Sequence, residues 1–187
     1  VPFYPFINSL SYLIFNNEKS MVYVNYIFFL ISNLIFFLLI RKIINVKIAL
    51  LIVSINLVSF VNLKNIVSVN PAVLCNFLLV CLCYNVHKYF DYFKIKNLFL
   101  ILLFCTALLL TRHDMIFFIF PFFLIIYLLT KKKICILFIM FGFTIILIWS
   151  SINNYRANYF GYSNISLAVP YVNYVLHVNK SEQKIFN

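Results

Sequence analysis

Acid is almost missing from this chain: four Asp and Glu residues stand against 15 Lys and Arg in 187 positions. Charge of either sign is scarce, at 10% of residues, whereas soluble domains carry about a quarter, and 65% of residues are hydrophobic. Such a set cannot build a water-solvated surface, so lipid is the solvent for most of the chain. The basic residues form no single patch but small groups between apolar runs, which excludes a nucleic-acid footprint and reads as membrane topology. Residues 1–20 do not read as a signal peptide, having no basic start, continuous apolar core or small-residue cleavage site. The chain begins with Val1 rather than Met, and reads as a fragment or processed product. Cys75, Cys81, Cys83, Cys105 and Cys135 lie inside apolar runs with no Cys-x-x-Cys pair and no nearby His at ligand spacing. They read as small buried hydrophobes, with no metal site and no disulfide framework.

What is present is a series of apolar runs. Residues 21–40 hold twenty positions without a charge, enough at about 1.5 Å per residue to cross a hydrocarbon core of about 30 Å. Further runs follow at 48–63, 71–86, 98–111, 115–129 and 134–150. The expected fold is all-α: a polytopic membrane bundle of about six transmembrane helices. Residues 1–20, broken by Pro2, Pro5, Asn8, Asn16 and Asn17, read as an outer interfacial loop. Residues 151–187, with Tyr155, Tyr159, Tyr162, Tyr171 and Tyr174, read as an outer tail along the headgroups.

Loops 41–47, 87–97 and 130–133 hold nine of the 15 basic residues in 22 positions, against six in the 67 positions of the alternate segments. The dense set belongs to the cytoplasm, which puts both ends on the non-cytoplasmic side. The fourth and fifth runs, 14 and 15 residues long, span only about 21–23 Å of helix. One helix through both would place Arg112 and Asp114 at the bilayer centre, at about 2.5–3.5 kcal/mol each. They therefore read as a tight hairpin whose tip, Arg112-His113-Asp114, sits at the outer surface.

That tip is the first candidate site. Arg supplies a planar fork of donors suited to phosphate, and a place just under the headgroups strengthens the contact by lowering the dielectric. The bland alternative is a polar turn in which Arg112 and Asp114 neutralise each other. The second candidate is Arg156 with Tyr159 before Gly161, one of only two glycines. Arg156 is suited to a lipid phosphate or a glycan, or else to anchoring at the interface. Asn164-Ile165-Ser166 and Asn179-Lys180-Ser181 match the N-glycosylation pattern, as expected by chance in a chain with twenty Asn. That abundance reads as the drift of an AT-rich genome.

The stretch Ala107-Leu108-Leu109-Leu110-Thr111-Arg112-His113-Asp114, followed by an apolar run containing Pro121, resembles a segment of the GT-C type glycosyltransferases. These polytopic enzymes use polyprenyl-phosphate sugars and include protein mannosyltransferases and arabinofuranosyltransferases. Arg156-Ala157-Asn158-Tyr159-Phe160-Gly161 is similar to an Arg-x-x-Tyr-Tyr-Gly element of some members. The resemblance implies transfer of a sugar from a polyprenyl-phosphate donor to a glycan, lipid or protein acceptor, with no cofactor. It gives Arg112 the carrier phosphate, lets His113 and Asp114 position phosphate or sugar, and assigns Arg156 and Tyr159 to substrate binding. It leaves the catalytic residue unassigned, since the family's acid lies in a first outer loop expected upstream of Val1. The membrane implied is the bacterial inner membrane, or otherwise the endoplasmic reticulum. The alternatives are a polyprenyl-linked glycan polymerase or ligase, or a transporter. A transporter favours Gly- or Pro-interrupted helices in matched repeats, whereas these spans hold only Gly142, Pro71 and Pro121 and no acid.

Overall fold

In lipid, an uncharged run satisfies its backbone only by coiling on itself. The computed structural model, which describes residues 3–17, 19–68 and 70–157, shows that outcome throughout. Its helices are α1 (Phe3–Phe15), α2 (Ser20–Ile43), α3 (Val46–Leu57), α4 (Phe60–Val67), α5 (Pro71–Tyr92), α6 (Ile95–Leu109), α7 (Ile116–Thr130) and α8 (Ile134–Ala157). A 3-10 turn, His113–Met115, joins α6 to α7, and no strand occurs among the described residues. Residues 1–145 form one compact unit and 146–187 a second, of which the end of α8 is described. Of the expected tail 151–187, residues 151–157 continue α8, and residues 158–187, Tyr159 included, lie outside the described residues.

The chain is thus an all-helical membrane bundle. Three helices, α2, α5 and α8, are long and apolar enough to cross a membrane, and α3 with α4 makes a fourth if that bent pair is one span. The hairpin arms α6 and α7 have 15 residues each, about 22 Å of helix. Length alone therefore accounts for three or four of the six expected spans. Large apolar side chains face outward along the helices, among them Leu13, Val58, Phe60, Ile95, Phe117 and Leu129, each at least 77% exposed. Apolar exposure on this scale has no place in water and is what lipid solvates.

Two expected segments differ in local form. Residues 3–15, within the expected interfacial loop, form the helix α1. Pro5 sits in its first turn, where the amide it lacks would have had no intrahelical partner, and the helix stops only before Asn16, at φ 45°. The run 48–63, expected as one span, carries a 51° bend between α3 and α4, so that it crosses as a broken span if α3 and α4 form one. Asn56 and Asn62 make that break tolerable. The Asn62 Nδ2 donates to the Asn56 carbonyl at 3.1 Å and to the Asn56 Oδ1 at 2.7 Å.

Within the first unit α2 packs on α3 and α5, and α5 on α6. Leu74, Leu78 and Leu82 of α5 and Ile101, Cys105 and Leu108 of α6 are all buried. The five cysteines are free thiols, four of them buried, as their apolar settings imply. The three basic loops share one end of this bundle. Lys42 pairs with Asp91, and the Lys132 ammonium lies 3.9 Å from the centre of the Phe93 ring.

Gly142 shows how tightly α7 meets α8. Phe120 stacks on Phe143 with ring centres 4.3 Å apart, and a Cβ on Gly142 would come within 2.8 Å of the Phe120 ring edge. Ala gains about 1 kcal/mol of helix propensity over Gly, while the ring edge must move. We expect Gly142→Ala to unfold within about 1 kcal/mol of the unaltered protein. Gly142→Leu, which overpacks the seam, should lose about 1–3 kcal/mol. Unfolding in mild detergent, followed by circular dichroism, measures both.

Candidate functional site

The turn between α6 and α7 is built by a helix that runs out of partners. The Leu110 and Arg112 amides still reach back, to Thr106 at 2.9 Å and Leu108 at 3.2 Å. The buried Thr111 hydroxyl donates to the Ala107 carbonyl at 2.6 Å. Arg112 then adopts an extended backbone, φ −144° and ψ 135°, which ends α6. The Met115 amide donates to the Arg112 carbonyl at 3.3 Å and starts the short turn into α7. The Leu110 carbonyl, which α6 can no longer use, accepts the Phe3 amide of α1 at 2.8 Å. The start of α1 therefore lies against the tip, a contact that no sequence pattern announces.

Arg112 and Asp114 form a two-pronged ion pair. Nε donates to Oδ1 at 3.0 Å and Nη2 to Oδ2 at 2.7 Å. The two side chains are 36% and 39% exposed, so the pair contributes only about 0–1 kcal/mol to stability. Its effect is to fix the guanidinium plane. Of the five N–H donors of an Arg, Asp114 takes two, and no other described group takes the rest. His113 contributes its backbone to the turn. Arg156 lies in the last turn of α8, within the second compact unit.

Beside the tip, a cavity of about 520 Å³ runs along α6, lined by Phe3, Phe99, Leu103, Ala107, Leu110 and Phe141 among others. Its lining is wholly apolar apart from Thr106, whose hydroxyl is already bonded to the Leu102 carbonyl at 2.9 Å. Leu110 is two residues from Arg112, and Phe99 is eleven residues further into the bundle along the same helix. A charged head and a long apolar groove therefore share one helix end.

The family model described as dolichyl-phosphate-mannose-protein mannosyltransferase matches residues 1–155. The chain belongs to this family. No curated protein and no solved structure matches the chain. Membership of the mannosyltransferase family supports a membrane glycosyltransferase of the GT-C type, in agreement with the all-helical, lipid-facing fold. It implies a polyprenyl-phosphate sugar donor and a glycan or protein acceptor in a membrane.

Because the ion pair is exposed and weak, the mannosyltransferase fold should not depend on it. Replacing both Arg112 and Asp114 by Ser should leave membrane insertion and folded yield unchanged within about 1 kcal/mol. Size-exclusion profiles and thermal unfolding of the purified double variant check this.

Proposed function

We propose that the chain serves a transferase that moves a sugar from a polyprenyl-phosphate donor to an acceptor on the non-cytoplasmic side of the membrane. In this reading Arg112 holds the carrier phosphate. The observation that carries it is the Arg112–Asp114 fork two residues beyond Leu110, which lines the apolar groove along α6. A polyprenyl phosphate has the matching form, an anionic head on a long hydrocarbon tail.

The division of labour follows from the donors. Asp114 takes Nε and one Nη hydrogen and holds the guanidinium flat, leaving three N–H groups to face an anion. Charge-assisted hydrogen bonds to phosphate contribute about 1.5–3 kcal/mol each, far more than the exposed pair contributes to folding. Asp114 is then a positioning residue, and Lys at position 112 would keep the charge without the fork. The apolar groove takes the tail, in which every buried methylene contributes about 0.8 kcal/mol. His113, Arg156 and Tyr159 keep the substrate-binding roles that the resemblance gives them.

The orientation follows from the basic end. Lys42, Lys94 and Lys132 cluster there with Tyr92 and Phe93, and Lys and Arg mark the cytoplasmic face. The hairpin tip then faces outward, in the leaflet from which the donor is taken.

Two outcomes test this. Titrated with a short-chain polyprenyl phosphate, the purified protein should lose about ten- to a hundredfold in affinity on Arg112→Ala. Arg112→Lys should lose less, and Asp114→Asn should fall between that and the unaltered protein. An Arg112→Ala variant that binds as tightly as the unaltered protein removes the phosphate role. In a background without native cysteines, Lys19→Cys and Ser68→Cys should react with an impermeant maleimide from outside intact cells. Ile44→Cys and Lys96→Cys should not, and the reverse pattern would invert the orientation.

A further inference from the structure

Asparagines from four neighbouring helices meet inside the first unit. Asn33 of α2 accepts from Asn56 of α3 at 2.7 Å, and Asn56 accepts from Asn62 of α4 at the same distance. Asn70, which caps α5, donates to Asn65 of α4 at 3.3 Å. Asn76, six residues further along α5, makes no hydrogen bond with any described residue. Two cavities flank it and share it. One of about 320 Å³ is lined by Ser32, Asn56 and Asn76 among apolar residues. The other, of about 230 Å³, is lined by Asn62, Asn65 and Asn76 against Phe29.

Compositional drift accounts for the number of asparagines but not for their convergence. Drift would scatter carboxamides over lipid-facing and buried positions alike, and each one facing hydrocarbon would carry a desolvation cost. Here several already bond one another. What remains unused points to a ligand: the Asn62 Oδ1, the Asn65 Nδ2 and both polar atoms of Asn76. The lining holds no charged residue, so neither a phosphate nor a bare cation finds a counter-charge. Carboxamides both donate and accept, which is what a ring of vicinal hydroxyls requires. We propose that the paired cavities around Asn76 bind a neutral, polyhydroxylated glycosyl group.

This site rests on the transferase reading, which supplies such a group from two sources, the donor's sugar and the acceptor's glycan. It is distinct from the Arg112 tip, where the ligand chemistry is anionic.

The test uses the full chain in lipid nanodiscs and three probes: a short-chain polyprenyl-phosphate mannose, the same polyprenyl phosphate without sugar, and mannobiose. Asn76→Leu keeps the side-chain bulk and breaks no hydrogen bond of the fold, so its thermal unfolding should match the unaltered chain. If it does not, Asn76→Ser carries the test. A donor-sugar site predicts about tenfold weaker binding of the mannose-bearing lipid, the contribution of one or two neutral hydrogen bonds, with the sugar-free lipid unchanged. An acceptor site predicts that loss for mannobiose alone. Arg112→Ala, measured beside it, reads the phosphate separately: if that variant binds the sugar-free lipid normally, the tip reading fails while the Asn76 comparison still stands. Unchanged binding of both sugar probes by Asn76→Leu or Asn76→Ser, or no binding of either by the unaltered chain, overturns the glycosyl site.

Discussion

Lipid offers no hydrogen-bond partner to a backbone amide or carbonyl, so wherever a helix stops inside this bundle another group must take over. Two such places organise the described structure. At the break after Leu57, the Asn56 carbonyl accepts from the Asn62 side chain as well as from the Ser59 amide. At the end of α6, the Leu110 carbonyl accepts the Phe3 amide, and the Thr111 hydroxyl folds back onto Ala107. Each substitute group draws a neighbouring segment toward the break. The first break gathers carboxamides between α2 and α5, and the second brings the start of α1 against the hairpin tip.

The same constraint explains why polar chemistry is confined to these points. An uninterrupted helix through residues 98–129 would bury Arg112 and Asp114 in hydrocarbon, whereas the turn lets both remain more than a third exposed. The arms are short because the turn has to come early. Their apolar faces still border a groove that leads from Leu110 to Phe99. A break forced by insolubility of charge in lipid thereby leaves a guanidinium two residues beyond Leu110, the end of that apolar lining.

Much of the fold could be read from hydropathy and from two spacing rules. Runs free of charge gave the helices, and the alternation of basic loops matched the clustering of Lys42, Asp91 and Lys132 at one end. The pairing of Arg112 with Asp114 could also be read, because a two-residue separation in a tight turn leaves each the nearest opposite charge. What could not be read was tertiary. The loop expected at 1–20 rested on Pro2, Pro5, Asn8, Asn16 and Asn17, yet Pro5 sits in the first turn of α1, where the amide that proline lacks has no partner. The α3–α4 bend depends on Asn56 meeting Asn62, and composition had set these asparagines aside as drift. The signal was available in part: Asn56 and Asn62 interrupt an otherwise apolar run, and a carboxamide at membrane depth asks for a partner.

The basic residues at the two ends of the bundle are held in different ways, and this distinguishes the tip. At the basic end the cations rest on aromatic rings: Arg41 on Phe37, Lys42 and Lys94 on Tyr92, Lys88 on Tyr84, Lys132 on Phe90 and Phe93. Each such contact contributes about 0.5–1 kcal/mol where exposed and covers part of the charge. Lys42 also carries Asp91. These are cations occupied by their own protein, as expected of groups that hold helix ends at an interface. Arg112 is held by one carboxylate along one edge, and no ring lies over it among the described residues. Its orientation is fixed while most of its donors stay open, an arrangement that adds little to folding and suits an incoming anion.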